Sequence, residues 1–246
     1  MGAAFLAGGI NSVAGGGTLL TFPALLGLGL PAIAANATST VAIWPGSLGS
    51  IWGFRRELQE VPARMRWLAV PAVLGGIAGA LLLRVTPQSL FRHLVPFLIL
   101  FATVLFTVQA PVQRRLTAAR GSVPRGRYWT GAVMLGQFAV GVYGGYFGAG
   151  MSIMMLTALA LMGMDDILKM TAMTSFLSLC TNGVASILFA AAHMVVWSYV
   201  LVMMTAALMG GYAAAGLARR IGKKRVRQFV ILVGFTIAAV LFVRIF

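Results

Sequence analysis

Apolar runs long enough to cross a lipid bilayer follow one another along almost the whole chain, separated only by short clusters of arginine and lysine. A spanning helix needs about 20 mainly apolar residues. Candidate blocks fall at roughly 2–14, 18–30, 33–54, 67–84, 93–110, 128–163 (read as two), 167–192, 195–218 and 228–246, ten segments of which several are too short to span alone. Only 9% of residues are charged and 60% are hydrophobic, against roughly 25% charged in a soluble domain. A water-soluble fold, a disordered chain and a disulfide scaffold are therefore excluded, and Cys180 is the sole cysteine. The net charge of +15 suggests nucleic acid at first sight, but basic clusters between apolar runs are the pattern of a polytopic membrane protein. Met1 is followed at once by apolar sequence with no basic n-region, so no cleavable signal peptide is expected. The longest polar stretch, Gln113 to Arg127, leaves no room for a soluble domain. The expected fold is an all-α integral membrane protein, a single transmembrane domain over 1–246.

The second half of the chain repeats the first. Ala14-Gly15-Gly16-Gly17 matches Phe147-Gly148-Ala149-Gly150 at an offset of 133, and Thr38-Ser39 matches Thr174-Ser175 at 136. Gly75-Gly76 and Gly210-Gly211, Arg84 and Arg219, and Arg92 and Arg227 all match at 135. Glycine pairs are common in membrane helices, so the information lies in the near-constant offset, which marks a duplicated unit. Repeat one is read as 1–110, a basic linker as 111–127, and repeat two as 128–246. Met1 aligns with Met134, so the first copy lacks about six residues equivalent to Tyr128–Val133.

Charge decides how the copies are related, because cytoplasmic loops carry the excess of Lys and Arg. Parallel copies would divide the nineteen basic residues ten to nine. Inverted copies collect sixteen on one side, namely Arg55, Arg56, Arg64, Arg66, Lys169 and the clusters at 114–127 and 219–227, leaving Arg84, Arg92 and Arg244 on the other. Inversion requires an odd number of crossings per half. A broken, re-entrant hairpin followed by three full spans supplies it, with Gly15–Gly17 near one tip and Gly148–Gly150 near the other; five complete crossings per half would also satisfy parity.

The two glycine runs are the sharpest candidate site. Irregular backbone at membrane depth is tolerated only inside protein or along a wet cavity, and the N-terminal ends of discontinuous helices can face an anionic substrate there. The N–H groups and partial positive charge of a helix start supply the attraction. Gly15, Gly16, Gly17, Gly148, Ala149 and Gly150 would leave the backbone open to an anion, with Thr18 and Ser152 close behind. Close helix packing of the small-xxx-small type uses the same residues equally well. The third segment of each half carries a second set of polar groups, around Thr38-Ser39 and Thr174-Ser175, with Asn36 and Asn182 on the same segments. Hydroxyls and amides can replace an oxyanion's hydration, or can serve only as interhelical hydrogen bonds.

Absences narrow the chemistry. The only acids are Glu57, Glu60, Asp165 and Asp166, all in predicted loops, so a carboxylate-based cation pump and carboxylate catalysis are both disfavoured. No catalytic constellation, metal site or cofactor is expected. His93 and His193 fall at segment ends, and Cys180, whose repeat counterpart is Trp44, reads as a core residue. Lys169 reads as a snorkelling surface lysine, and the 219–227 run as a contact to anionic lipid rather than nucleic acid. The Gly46-x-x-Gly49-x-x-x-Gly53 spacing suits internal packing or a homodimer face.

Ala14-Gly15-Gly16-Gly17-Thr18 followed by Phe22-Pro23, then Ala37-Thr38-Ser39-Thr40 and Pro45, resembles the N-terminal half of the TauE/SafE family of sulfite and organosulfonate permeases. Gly144-Gly145-Tyr146-Phe147-Gly148-Ala149-Gly150 and Met173-Thr174-Ser175 resemble its C-terminal half. The second glycine run departs from three glycines, reading Gly-Ala-Gly beside bulky Tyr146 and Phe147. The resemblance implies a multi-pass transporter of the bacterial inner membrane, exporting a small sulfur-containing or related organic anion such as sulfite or a sulfonate by alternating access. A passive anion channel would use the same donors without alternating states, and a non-transporting scaffold would use the glycines for packing alone.

Overall fold

The computed structural model describes the backbone of residues 2–14, 17–118, 127–162, 164, 166–221 and 223–245, with the side chains of 9–14, 64, 109–118, 127–130, 161, 211–221, 223–227 and 229 left aside. Among these residues the chain forms twelve helices: α1 (Gly2–Ala14), α2 (Thr18–Gly27), α3 (Ala32–Gly53), α4 (Arg55–Glu60), α5 (Ala63–Arg66), α6 (Ala69–Val85), α7 (Gln88–Ala118), α8 (Arg127–Tyr146), α9 (Met151–Leu161), α10 (Ile167–Ala191), α11 (Trp197–Ile221) and α12 (Lys223–Ile245). Ten of them reproduce the ten apolar segments. The two additions, α4 and α5, fill the four-arginine stretch expected as a loop, so Glu57 and Glu60 lie on a short helix. Arg-Arg-Glu-Leu-Gln-Glu is built from good helix formers, and hydropathy does not register such a helix.

Length separates half-spans from full ones. At 1.5 Å per residue, the 13 residues of α1, 10 of α2 and 11 of α9 cover about 15–20 Å, well short of a bilayer core of about 30 Å. The stretch Gln88–Val108 of α7 and the whole of α10 are long and apolar enough to cross. Within a largely apolar interior the protein buries an unusual set of polar side chains, and it exposes many large apolar ones. Thr21, Asn36, Thr38, Ser39, Thr103, Gln137, Thr174 and Thr181 are buried, whereas Trp52, Val85, Leu135, Met209, Leu232 and Val243 are exposed. Apolar side chains facing outward around polar ones facing inward are expected where the surroundings are hydrocarbon.

The helices pair in a pattern that survives exchange of the halves. Helix α1 packs on α11 and α8 on α6; α3 meets α11 and α10 meets α6; α2 touches α12 and α9 touches α7; α3 crosses α10, and α7 lies on α12. The correspondence reaches single residues. A Cβ on Gly8 would run into the Ala207 backbone, and one on Gly141 into the Ala72 carbonyl at 2.7 Å. Gly75 abuts the Phe138 carbonyl and Gly210 the Phe5 carbonyl. Gly8 and Gly141, like Phe5 and Phe138, are 133 apart, while Ala72 and Ala207, like Gly75 and Gly210, are 135 apart. These glycines do serve close packing, letting one helix backbone rest on another. Gly46, Gly49 and Gly53 do not: a Cβ on any of them meets nothing within 4 Å.

Two apolar cores result. The larger, rich in Leu, Ile, Phe and Ala, draws on both halves of the chain. The smaller gathers α8, α9 and the start of α10 against Val61 and Leu68, and holds five buried methionines, Met151, Met155, Met164, Met170 and Met173. Methionine is the most adaptable core side chain, so the second core is the softer of the two.

Candidate functional site

The second glycine run is a true break between helices. Gly148 and Gly150 both have φ of +78°, the left-handed region that L side chains avoid and glycine enters freely. Between them the carbonyl of buried Ala149 accepts the Tyr143 hydroxyl at 2.6 Å. Gly150 then starts α9 as its N-cap with no side chain bonding the first turn. Helix α10 differs, since the Asp166 carboxylate accepts the N–H of Leu168 at 2.8 Å. Helices α3 and α6 also lack a side-chain cap, and at α9 the Met151 and Ile153 N–H groups bond the Gly148 and Gly150 carbonyls, so an anion at this start would exchange with backbone acceptors.

Polar side chains reach this break from two crossing helices. Asn36 on α3, fully buried, donates from Nδ2 to the Tyr146 carbonyl at 2.9 Å, at the last residue of α8. Asn182 on α10 places Oδ1 3.9 Å from where a Cβ on Gly148 would stand. The amide oxygens of both asparagines are buried without a hydrogen-bond partner. Tyr146 is held from behind, its ring edge-on to Phe91 at 5.6 Å and its hydroxyl donating to Thr86 Oγ1 at 3.4 Å.

At the other break Gly15 and Gly16 lie outside the described residues. Gly17 is buried and N-caps α2 with ordinary right-handed angles, again without a side-chain cap. Its carbonyl accepts the Thr21 hydroxyl at 3.2 Å, and Thr21 shares a 2.6 Å hydrogen bond with Ser39 on α3. Phe22, five residues beyond Gly17 on α2, meets Phe147 of the second break edge to face at 5.3 Å.

The remaining expected residues divide. Thr38 does not face a glycine break; its Oγ1 accepts the Val196 N–H at 3.1 Å, just before α11. Thr174 is buried with its hydroxyl unpartnered. Thr18, Ser152 and Ser175 are half-buried. Lys169 forms an ion pair with Glu60 at 2.8 Å, tying the basic segment of the first half to α10 rather than snorkelling alone. Thr21, Tyr143 and the amide oxygens of Asn36 and Asn182 belong with the site although none was a first choice from sequence. Their roles depend on which helices cross, and no linear spacing encodes that. No group of three or more His, Cys, Asp or Glu suited to a metal ion occurs among the described residues.

Comparison with known proteins agrees with this architecture. The family model described as sulfite exporter TauE/SafE matches residues 1–241. A probable membrane transporter protein of Haemophilus influenzae is 29% identical over 237 residues, covering 96% of this chain and 90% of that protein. The probable membrane transporter protein YfcA of Escherichia coli K12 is 29% identical over 243 residues, covering 96% and 86%. A probable membrane transporter protein, ORF9, of Sinorhizobium is 28% identical over 239 residues, covering 96% and 88%. No solved structure gives a significant match.

Proposed function

Because the chain belongs to the TauE/SafE family of membrane transporters, we propose that it carries a small sulfur-containing or related organic anion across the bacterial inner membrane, outward from the cytoplasm, by exchanging the conformations of two inverted repeats. The observation that carries this reading is the contact of Phe22 with Phe147, which brings α2 of the first half against the α8–α9 break of the second; neither α2 nor α9 has a side-chain cap. Backbone N–H groups at α2 and α9, with the Thr21 and Ser39 hydroxyls, would replace the hydration of the anion. Thr18 and Ser152, each next to a glycine run in sequence, would add hydroxyls there, whereas Thr38 and Thr174 lie outside the anion region. The basic clusters at 114–127 and 219–227 would favour anionic headgroups on the cytoplasmic side.

Exchange between two states is supported by one unequal pair of otherwise equivalent contacts. The repeat offsets carry Thr38 onto Thr174 and Val196 onto Val61. Thr38 holds the Val196 N–H. The Val61 N–H instead bonds the Leu58 carbonyl at 3.3 Å, leaving the Thr174 hydroxyl without a partner. Yet Val61 shares the methionine-rich core with Met170, Met173 and Leu177, the residues flanking Thr174. In the opposite-facing state Thr174 accepts the Val61 N–H and Thr38 releases Val196, the soft core absorbing the shift. An inverted repeat that rocks about a fixed site behaves in this way. A passive channel needs no such inequality.

Thermal unfolding of purified protein with sulfite, sulfate, thiosulfate, taurine, sulfoacetate and a simple carboxylate tests the site. A ligand at 100 times its Kd adds about 2.7 kcal/mol to stability, so a selective, concentration-dependent rise in Tm for a sulfur anion is expected. No rise with any of them contradicts the reading and favours the scaffold.

A further inference from the structure

The acceptor oxygens at the α8–α9 break set a requirement on what can occupy it, and we infer that the transported anion carries its own hydrogen-bond donor, an O–H or N–H group, read by Asn36 and supported by Asn182. The inference rests on the anion site proposed above and narrows its substrate class.

Asn36 is fully buried, and its orientation is fixed by chemistry: the Tyr146 carbonyl can only accept, so the end of the amide that faces it at 2.9 Å is the N–H₂. The opposite end, Oδ1, is then an acceptor with no donor from the protein. Asn182 brings a second amide to the same break, its Oδ1 3.9 Å from the place of a Cβ on Gly148; with no hydrogen bond in the protein holding it, this amide can turn to offer oxygen or N–H₂. Leaving a buried acceptor unmet costs about 1–3 kcal/mol, and native structures seldom leave one without reason. Four residues beyond the Tyr146 carbonyl, α9 starts without a side-chain cap, its Met151 and Ile153 N–H groups held only by the nearby Gly148 and Gly150 carbonyls at 3.2 and 3.0 Å. A short ligand can therefore place an anionic end at α9 and a donor at the asparagines. An anion with acceptors alone would meet the helix start and leave the Asn36 amide oxygen stranded. A site built this way discriminates by the group it expects to pair, as hydrogen-bonding pockets reject analogues that lack the donor.

Three probes isolate the donor: isethionate (2-hydroxyethanesulfonate), 2-methoxyethanesulfonate, which keeps the oxygen but loses its hydrogen, and ethanesulfonate, which has neither. Their dissociation constants are measured on the detergent-solubilised full chain. Isethionate should bind at least tenfold tighter than the other two. In Asn36→Leu that preference should fall to about twofold, while ethanesulfonate binding persists and certifies the fold. If Asn36→Leu does not fold, Asn182→Val, on a half-buried residue, should reduce the preference in the same direction. Equal affinity for all three probes in the unmodified protein means that water meets the asparagine oxygens, and it overturns the donor requirement while leaving the anion site standing. Binding of none of them overturns the anion site itself.

Discussion

Two threonines at equivalent places in the two halves sit in unequal surroundings, and substitution should expose the difference. Thr38→Val removes the acceptor of the Val196 N–H and leaves that donor unmet. A loss of about 1–3 kcal/mol is expected, visible as a lower Tm. Thr174→Val removes a hydroxyl that has no partner in this state, so Tm should hold or rise slightly. Transport should nevertheless slow about five- to tenfold, because a hydrogen bond worth about 1 kcal/mol is lost from the opposite state. Unchanged transport in Thr174→Val would break the link between this residue and the exchange. The sequence displays these threonines as a matched pair; that Thr174 lacks the amide Thr38 has goes with the folding of 55–60 into α4, where Leu58 takes the Val61 N–H, and hydropathy is blind to that.

At the level of helices, glycines that look alike in sequence have separate duties. Gly75→Leu and Gly210→Leu should each push a helix pair apart, α6 from α8 and α11 from α1, because backbone carbonyls occupy the Cβ direction. Overpacking of this kind costs about 1–3 kcal/mol or more, and the two variants should cost similar amounts since their contacts are repeat equivalents. Gly49→Ala, with open space around it, should keep or raise the melting temperature, by up to about 1 kcal/mol of helix propensity. A costly Gly49→Ala beside a harmless Gly75→Leu would refute the assignment of faces. Helix positions were legible because apolar run length and charge clusters mark them directly. Their ends were less so: α7 continues through Gln113, Arg114 and Arg115 to Ala118, polar helix formers that carry no hydropathy signal. The contact of Phe22 with Phe147, and of Asn36 with Tyr146, joins residues more than a hundred positions apart. Only the arrangement of helices in space determines such pairs.

For the whole molecule, one near-constant offset recurs at two levels. The same offsets that relate glycines in the sequence relate helix contacts in three dimensions, from Gly8 on Ala207 to Gly141 on Ala72. Large apolar side chains on the outside and a few buried hydroxyls and amides within apolar cores suit a hydrocarbon surrounding. What the two copies do not share, the Thr38 and Thr174 bonds and the methionine-rich core of the second half, is where motion would be taken up. Counterflow in proteoliposomes addresses that exchange directly. Vesicles containing the purified protein are loaded with unlabelled sulfite or isethionate and diluted into a trace of the same labelled anion. Transient accumulation of label above its equilibrium level, faster than into unloaded vesicles, is the expected result for a carrier that alternates between two states. Label entering only to equilibrium at a rate indifferent to the internal anion would indicate a channel, and no entry above protein-free vesicles would indicate a scaffold; either would contradict exchange between the repeats.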